Sequence, residues 1–247
     1  LYGYNLFEAS LENPQEEVQA AANHQIGVGD EIVLKIWGAF DYADVQTVDR
    51  SGQINIPKIG PITVAGTQFS QLDSFLSKEV GRFFKNVQVS ATLGKIREIQ
   101  IYQVGHARIP GAHRVSGNST FLSAVFRLGG PSSIGSMRNI QLIRSGQLIA
   151  SLDLYQFIQS GHHSSIDHRV IPGDVIVFAP AGPRVAIQGA LDVPGIYEML
   201  GRGNTLEEVL RMGGQISPLT AGNRVLIERV NPEESLKGAP ARTVLEV

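Results

Sequence analysis

Three histidines and a carboxylate crowd one stretch of the chain: His162, His163 and His168, with Asp167 adjoining. Imidazole and carboxylate groups are zinc ligands, so metal coordination is the chemistry this cluster suggests. Ligand pairs on a helix need i, i+3 or i, i+4 spacing, and Gly161 and Ser164-Ser165 favour a loop instead. A solvated connector is the expectation. His106 and His113 flank the turn at Pro110-Gly111, with Ala190 and Tyr197 in the matching places of a second copy described below. That pattern fits surface positions rather than catalysis.

Asp30 and Asp174 each follow a glycine ahead of a strand-like run. Two carboxylates can act as general acid and base. Their matching surroundings point instead to turn residues whose side chains accept from nearby backbone N–H groups. An enzymatic reading would need Asp30, Asp49, Asp153 and Asp174 to meet in a cleft, and separate turns for the four would count against it. No Gly-x-Ser-x-Gly, P-loop or His-Glu-x-x-His occurs. The Gly-Gly pairs at 129–130 and 213–214 follow helical patterns, whereas phosphate cradles precede them. Trp37, the sole tryptophan, and Tyr42 are the residue types that stack on sugar rings. Trp37 lies among apolar neighbours, so core packing is the expectation for it. No catalytic, cofactor-binding, metal or ligand-binding residue is assigned.

The elements that must position these residues are organised around a repeat. Gly105 to Gly130 and Gly189 to Gly214 align without a gap at an offset of 84, with nine of 26 positions identical. Fixed-period similarity marks a duplicated structural unit. In each unit alternation predicts a strand, as in Ile99, Ile101 and Gln103, followed by a Pro-Gly turn and a second strand. Thr205 with Glu208 has capping-box spacing for a helix. Leu122, Val125 and Phe126 give helical spacing in copy one, and Leu206, Val209 and Leu210 in copy two. Each helix stops at Gly-Gly, and further strands follow, Ile140 to Ile143 and Val225 to Ile227. Copy one continues with a Ser145-Gly146 turn, a short helix at Leu154, Phe157 and Ile158, and the Pro172-Gly173-Asp174 turn into a buried strand.

Ahead of the repeat, Ile32, Leu34 and Ile36 alternate with Val33, Lys35 and Trp37. Short strands follow, split by Ser51-Gly52 and Ile59-Gly60-Pro61. Thr67 to Phe84 is the longest helical pattern, with Leu72, Phe75, Leu76, Val80 and Phe83 on one stripe. Val87, Val89 and Ala91 begin another strand. In the lead-in, Glu16 to Ala22 suits a short helix after Pro14. Tyr2, Tyr4 and Phe7 are expected to dock onto a neighbouring domain. The predicted fold is α+β: residues 1–25 a lead-in, 26–95 a β-rich module with one main helix, and 96–181 and 182–247 two tandem repeats. No counterpart of Pro172-Gly173-Asp174 appears in the second repeat, which is therefore expected to be incomplete.

The 247 residues carry 43% hydrophobic residues, a net charge of −2 and no cysteine. Disulfides and cysteine metal sites are excluded, and the charge gives no nucleic-acid footprint. No run of 18 apolar residues is present, so no membrane-spanning helix is expected.

One ordered series is specific. Gly27-Val28-Gly29-Asp30 precedes a strand, then come Asp49-Arg50-Ser51-Gly52, Ile54 to Gly60, Val64-Ala65-Gly66 and a helix. This series resembles the polysaccharide export domain of bacterial outer-membrane polysaccharide exporters, the Wza-like family. The duplicated unit resembles the soluble-ligand-binding β-grasp (SLBB) repeats that follow that domain; the resemblance as a whole covers roughly residues 26–230, in the family's domain order. Ser151 to Tyr155 and Pro172-Gly173-Asp174 fit the end of such a repeat.

The resemblance implies a non-enzymatic periplasmic component of a capsule or exopolysaccharide exporter, associated with the outer membrane. It implies a ring of identical subunits, a transported polysaccharide and an inner-membrane polysaccharide co-polymerase as partner, with no cofactor. Family members commonly carry an N-terminal lipidated cysteine, and some a C-terminal amphipathic membrane helix. Neither is present in these residues, so the chain is expected to be the periplasmic middle of a longer protein that does not itself span a membrane. A soluble glycan- or small-ligand-binding β-grasp module is the alternative.

The two copies are expected to share one fold, with positive φ at Gly129 and Gly213 and the register slipping by one residue only after Gly130. Replacing Gly213 with Ala is then expected to cost on the order of 1 kcal/mol.

Overall fold

Alternation along Ile32, Leu34 and Ile36 becomes the buried side of strand β1, Glu31–Gly38. The structure, a computed structural model, describes residues 1–8, 24–161, 168–189, 191–201, 204–214, 225–230 and 242–246. The helix expected over Glu16 to Ala22 lies outside them. The chain divides into two compact units, Leu1–Pro183 and Arg184–Val247.

β1 is the middle strand of an antiparallel sheet with β2, Tyr42–Thr47, and β5, Val87–Leu93. Helix α1, Phe69–Val80, covers the inner face with Leu72, Leu76 and Val80, four residues apart and fully buried. Each such side chain contributes roughly 1.5–3 kcal/mol relative to exposure. The hairpin of β3, Gln53–Ile56, and β4, Gly60–Thr63, adds Ile54, Ile56 and Ile62 to this core. The helix is shorter than its pattern. It ends at the Gly81 cap, so Phe83 falls off the expected stripe and is exposed. Phe84 turns inward instead and stacks on Phe40 at 5.0 Å.

Residues 98–180 form a five-stranded sheet in the order β7-β6-β10-β8-β9. The strands are β6 Glu98–Gly105, β7 Gly111–Ser116, β8 Gly135–Arg144, β9 Gln147–Leu152 and β10 Val175–Pro180. β10 lies parallel to β6 and antiparallel to β8, so the last strand joins two hairpins. This mixed arrangement with its helices is consistent with a β-grasp-like repeat. Helix α2, Phe121–Arg127, buries Phe121, Ala124 and Val125. Helix α3, Leu154–Ser160, starts at an Asp153 cap and ends at left-handed Gly161. Ser145 and Gly146 both have positive φ, 48° and 78°, the backbone a two-residue hairpin turn requires.

The lead-in aromatics dock on this repeat. Phe7 is buried with its ring 5.2 Å from Phe126, and Tyr2 meets Tyr155 edge-on at 5.2 Å. Tyr4 Oη donates to Ser132 O. Gly130 makes room: a Cβ there would lie 2.4 Å from the Phe7 ring.

The second unit, taken by itself, repeats the opening of the five-stranded repeat. β11, Arg184–Ile187, pairs with β12, Gly195–Glu198, and Val185↔Tyr197 and Ile187↔Gly195 reproduce Ile101↔His113 and Gln103↔Gly111 at the offset of 84. Helix α4, Leu206–Met212, follows, then a hairpin of β13, Leu226–Val230, with β14, Arg242–Glu246. Among the described residues no counterpart of β10 joins the two hairpins, and α4 buries no residue.

The register slip falls earlier than expected. Thr120 caps α2 by accepting from Ser123 N–H, and Thr205 caps α4 by accepting from Glu208 N–H, an offset of 85. Buried Phe121, Ala124 and Val125 thereby match partly buried Leu206, Val209 and Leu210. The extra residue sits between the hairpin and the helix: two residues separate Gly117 from Thr120, three separate Gly201 from Thr205. This corrects the glycine expectation. Gly129 is left-handed at φ 84°, but Gly213 is at −78° and Gly214 carries φ 87°. α4 ends one aligned position later, and the left-handed residue moves with it.

Gly214→Ala is therefore expected to cost about 1–3 kcal/mol and Gly213→Ala clearly less. Thermal melts of the two variants read this, and the reverse order would contradict the register. Gln103 offers a second test. It is fully buried with neither amide atom hydrogen-bonded among the described residues, where the second unit has Ile187 at the same register. Gln103→Ile is expected to raise stability by on the order of 1 kcal/mol, measured by denaturant titration.

Candidate functional site

The tight turn before β1 buries a carboxylate completely. Asp30 is 0% exposed and collects donors from three parts of the chain. Gly27 N–H donates to Oδ2 at 2.8 Å, closing the turn, and Arg97 N–H donates to Oδ1 at 2.9 Å. Arg97 Nη1 donates to Oδ2 at 2.7 Å, and His24 Nε2 lies 2.9 Å from the same oxygen. A carboxylate only accepts, so His24 carries its proton on Nε2. Burial alone pushes the Asp30 pKa up. The bonds from His24, Arg97 and Gly27 and the Arg97 charge outweigh it and hold the group below the usual 3.8. Arg97 is fitted between two glycines: a Cβ on Gly27 would lie 2.4 Å from its guanidinium, and one on Gly117 3.2 Å from its Cγ.

Asp174 repeats the device inside the five-stranded sheet. Ile171 N–H donates to its Oδ2 at 2.9 Å, the same three-residue step as Gly27 to Asp30. Arg144 grips both oxygens at 2.9 Å each and also donates to Arg169 O. Asp49 Oδ1 accepts from Ser51 and Gln53 N–H, and Asp153 caps α3 while accepting from Arg138 Nε at 3.0 Å. The four carboxylates thus stand on four separate turns, each accepting from backbone N–H groups, with Asp30, Asp153 and Asp174 also accepting from an arginine side chain. Nothing in this geometry offers a general acid and base across one cleft.

Of the histidines singled out in the sequence, His113 Nε2 lies 2.8 Å from Ile109 O, and His106 binds through its backbone to Phe178 O and Ser132 N–H. His168 is exposed, while His162, His163 and Asp167 lie outside the described residues. Among the described residues no group of three or more His, Asp or Glu side chains is placed to hold a metal ion.

Two concavities border these features. One of about 240 Å³ lies along Arg97 and is also lined by His24, Gly117, Arg169 and Pro172. The other, about 400 Å³ and open to solvent, is lined by Lys35, Ile36, Trp37, Asp41, Tyr42 and Ala43. Trp37 is not a core residue as expected; it is 48% exposed. Ile32, Leu34 and Ile36 take the one face that α1 covers, and Trp37 is in the opposite phase of the strand. Sequence reading missed His24, Arg97 and Arg144. The signal available was indirect: a carboxylate expected at a buried turn needs a cation, but not a particular one.

Residues 18–94 match the polysaccharide biosynthesis/export protein family. The chain is 28% identical over 200 residues to the polysialic acid transport protein KpsD of Escherichia coli, covering 80% of this chain and 35% of that protein. It is 24% identical over 234 residues to the EPS I polysaccharide export outer membrane protein EpsA of Ralstonia solanacearum, covering 83% of this chain and 60% of the relative. The chain thus spans about a third of the first and three-fifths of the second. Both relatives are named for polysaccharide transport or export, in agreement with the resemblance to Wza-like exporters read from the sequence. Among the described residues no helix is long and apolar enough to cross a membrane.

The Asp30 cluster sets a pH dependence. Its folded pKa lies below the unfolded value, so its contribution is complete above about pH 4 and is lost as pH falls through the folded value. Thermal melts between neutral and strongly acidic pH should show the wild type losing stability below about pH 4. Asp30→Asn should start less stable at neutral pH and lose less on acidification. Parallel pH curves for the two proteins would contradict this role.

Proposed function

We propose that this chain forms part of the wall of a periplasmic conduit in an outer-membrane capsule or exopolysaccharide exporter. The observation that carries the reading is the order of parts. An export-family module is followed by a β-grasp-like repeat and the start of a second, in a chain similar to two polysaccharide exporters over four-fifths of its length. In this reading 26–95 is the export domain, 96–181 the first SLBB-like repeat and 182–247 the second, with 1–25 as lead-in. The modules act as rigid wedges around an axis, in a ring of identical subunits that receives polymer from an inner-membrane co-polymerase. The role is non-enzymatic, supported by the four carboxylates being committed to separate turns. A conduit must let a polymer slide, so tight sugar binding would oppose the function. The alternative of a soluble ligand-binding module calls instead for an enclosed, saturable pocket, and the larger concavity is open.

Deleting the gene should abolish surface polysaccharide while polymer accumulates inside the cell, and cross-linking of the full-length protein in cells should give a closed oligomer. Normal surface polysaccharide in the deletion strain would overturn the export role. A strictly monomeric protein in cells would overturn the ring.

A further inference from the structure

The three-stranded sheet of the export module has one face packed under α1 and one face turned outward. Residues of β1 that point outward alternate with the core residues: Val33, Lys35 and Trp37. Directly across on β5 stand Thr92, Ser90 and Gln88, each opposite one of these three. No other element covers this face among the described residues. It holds a half-exposed indole, a row of hydroxyl and amide groups, and the concavity of about 400 Å³ that Asp41 helps to line.

We infer that this face, centred on Trp37, is a sliding contact for the sugar rings of the exported polymer, an inference that rests on the conduit reading above. The chemistry is complementary. A pyranose presents a face of C–H groups that packs on the electron-rich face of an aromatic ring. Its rim of hydroxyls needs donors and acceptors, which Gln88, Ser90, Lys35 and Asp41 supply. The indole N–H has no protein partner among the described residues, so it is available to a sugar oxygen. The volume is within the ~300–1,000 Å³ of small-ligand sites, yet the walls are low and open, which suits a chain in passage rather than a retained molecule. A permanent interface with a second copy would instead be depleted in charge at its centre, where Lys35 and Asp41 stand.

The platform is also rigid. β1 is paired along both edges. Gly38, at φ 117°, brings the loop so near Asn86 that a Cβ would lie 2.3 Å from its carbonyl oxygen. Asp41 Oδ1 accepts from Gly38 N–H at 3.2 Å, and Tyr42 Oη is held by Gln46 and Asp44. A fixed aromatic contact lets each sugar step past without reordering the protein.

The test uses the full-length protein in its own cells. Trp37→Ala should lower the rate of surface polysaccharide appearance roughly two- to tenfold, the factor expected for one lost aromatic contact, with protein level and cross-linked oligomer unchanged. Trp37→Tyr should restore most of the rate. In parallel, the emission of Trp37, the only tryptophan in these 247 residues, should shift when polysaccharide purified from the same cells is added. A wild-type export rate in Trp37→Ala, or unchanged emission, would overturn the inference while leaving the conduit reading standing. Loss of the oligomer in Trp37→Ala would mark the face as an interface between copies and also overturn it. Failure of the conduit reading itself shows separately, as normal export in the deletion strain.

Discussion

A charged group without solvent must be met by donors from wherever the chain can supply them, and Asp30 imposes that demand on the first unit. Its oxygens are satisfied from His24, from the turn at Gly27, and from both the backbone and side chain of Arg97. Those groups belong to the entry of the export module and the entry of the first repeat. Removing any of them leaves a buried charge short of a partner, which costs far more than an exposed ion pair contributes. The carboxylate therefore ties the two modules at a defined distance. Two glycines border the place: a Cβ at Gly27 would displace the Arg97 guanidinium, and one at Gly117 would crowd its stem. In the lead-in, Phe7 and Tyr2 pack on the same repeat, against Phe126 and Tyr155.

That rigidity bears on the face proposed as the polymer contact. The export sheet presents one side to α1 and the other outward, and the strand that carries the core residues also carries Trp37. What anchors Ile32, Leu34 and Ile36 thus anchors the indole. In the proposed conduit, a fixed, polar and mildly aromatic surface would suit the containment of a hydrophilic polymer better than its capture.

Much of the fold was legible because period-two alternation and turn glycines act locally. β1, β5, β6, the Ser145-Gly146 hairpin and α3 stand where alternation and turn residues put them. Two readings failed for non-local reasons. Trp37 has apolar neighbours on both sides in sequence, but which phase of a strand is covered depends on where α1 packs. The repeat was aligned by identity, and Leu122/Leu206, Val125/Val209 and Gly129/Gly213 matched well at the wrong offset. Side-chain caps, not identities, decide where a helix begins, and Thr120 with Thr205 set the offset at 85. The partners of Asp30 were illegible for a similar reason. Arg97 is 67 residues away in sequence, and only the fold brings it there.

The coupling of the export module to the first repeat through Asp30 is the central physical claim, and amide hydrogen exchange tests it most directly. The Arg97 and Gly27 N–H groups both donate to this carboxylate, from opposite sides of the junction. They should exchange at one common, slow rate close to that of the core amides of β1, and both should speed up together in Asp30→Asn. Fast exchange at Arg97 beside slow exchange at Gly27 would show that the modules open independently, and would contradict the account.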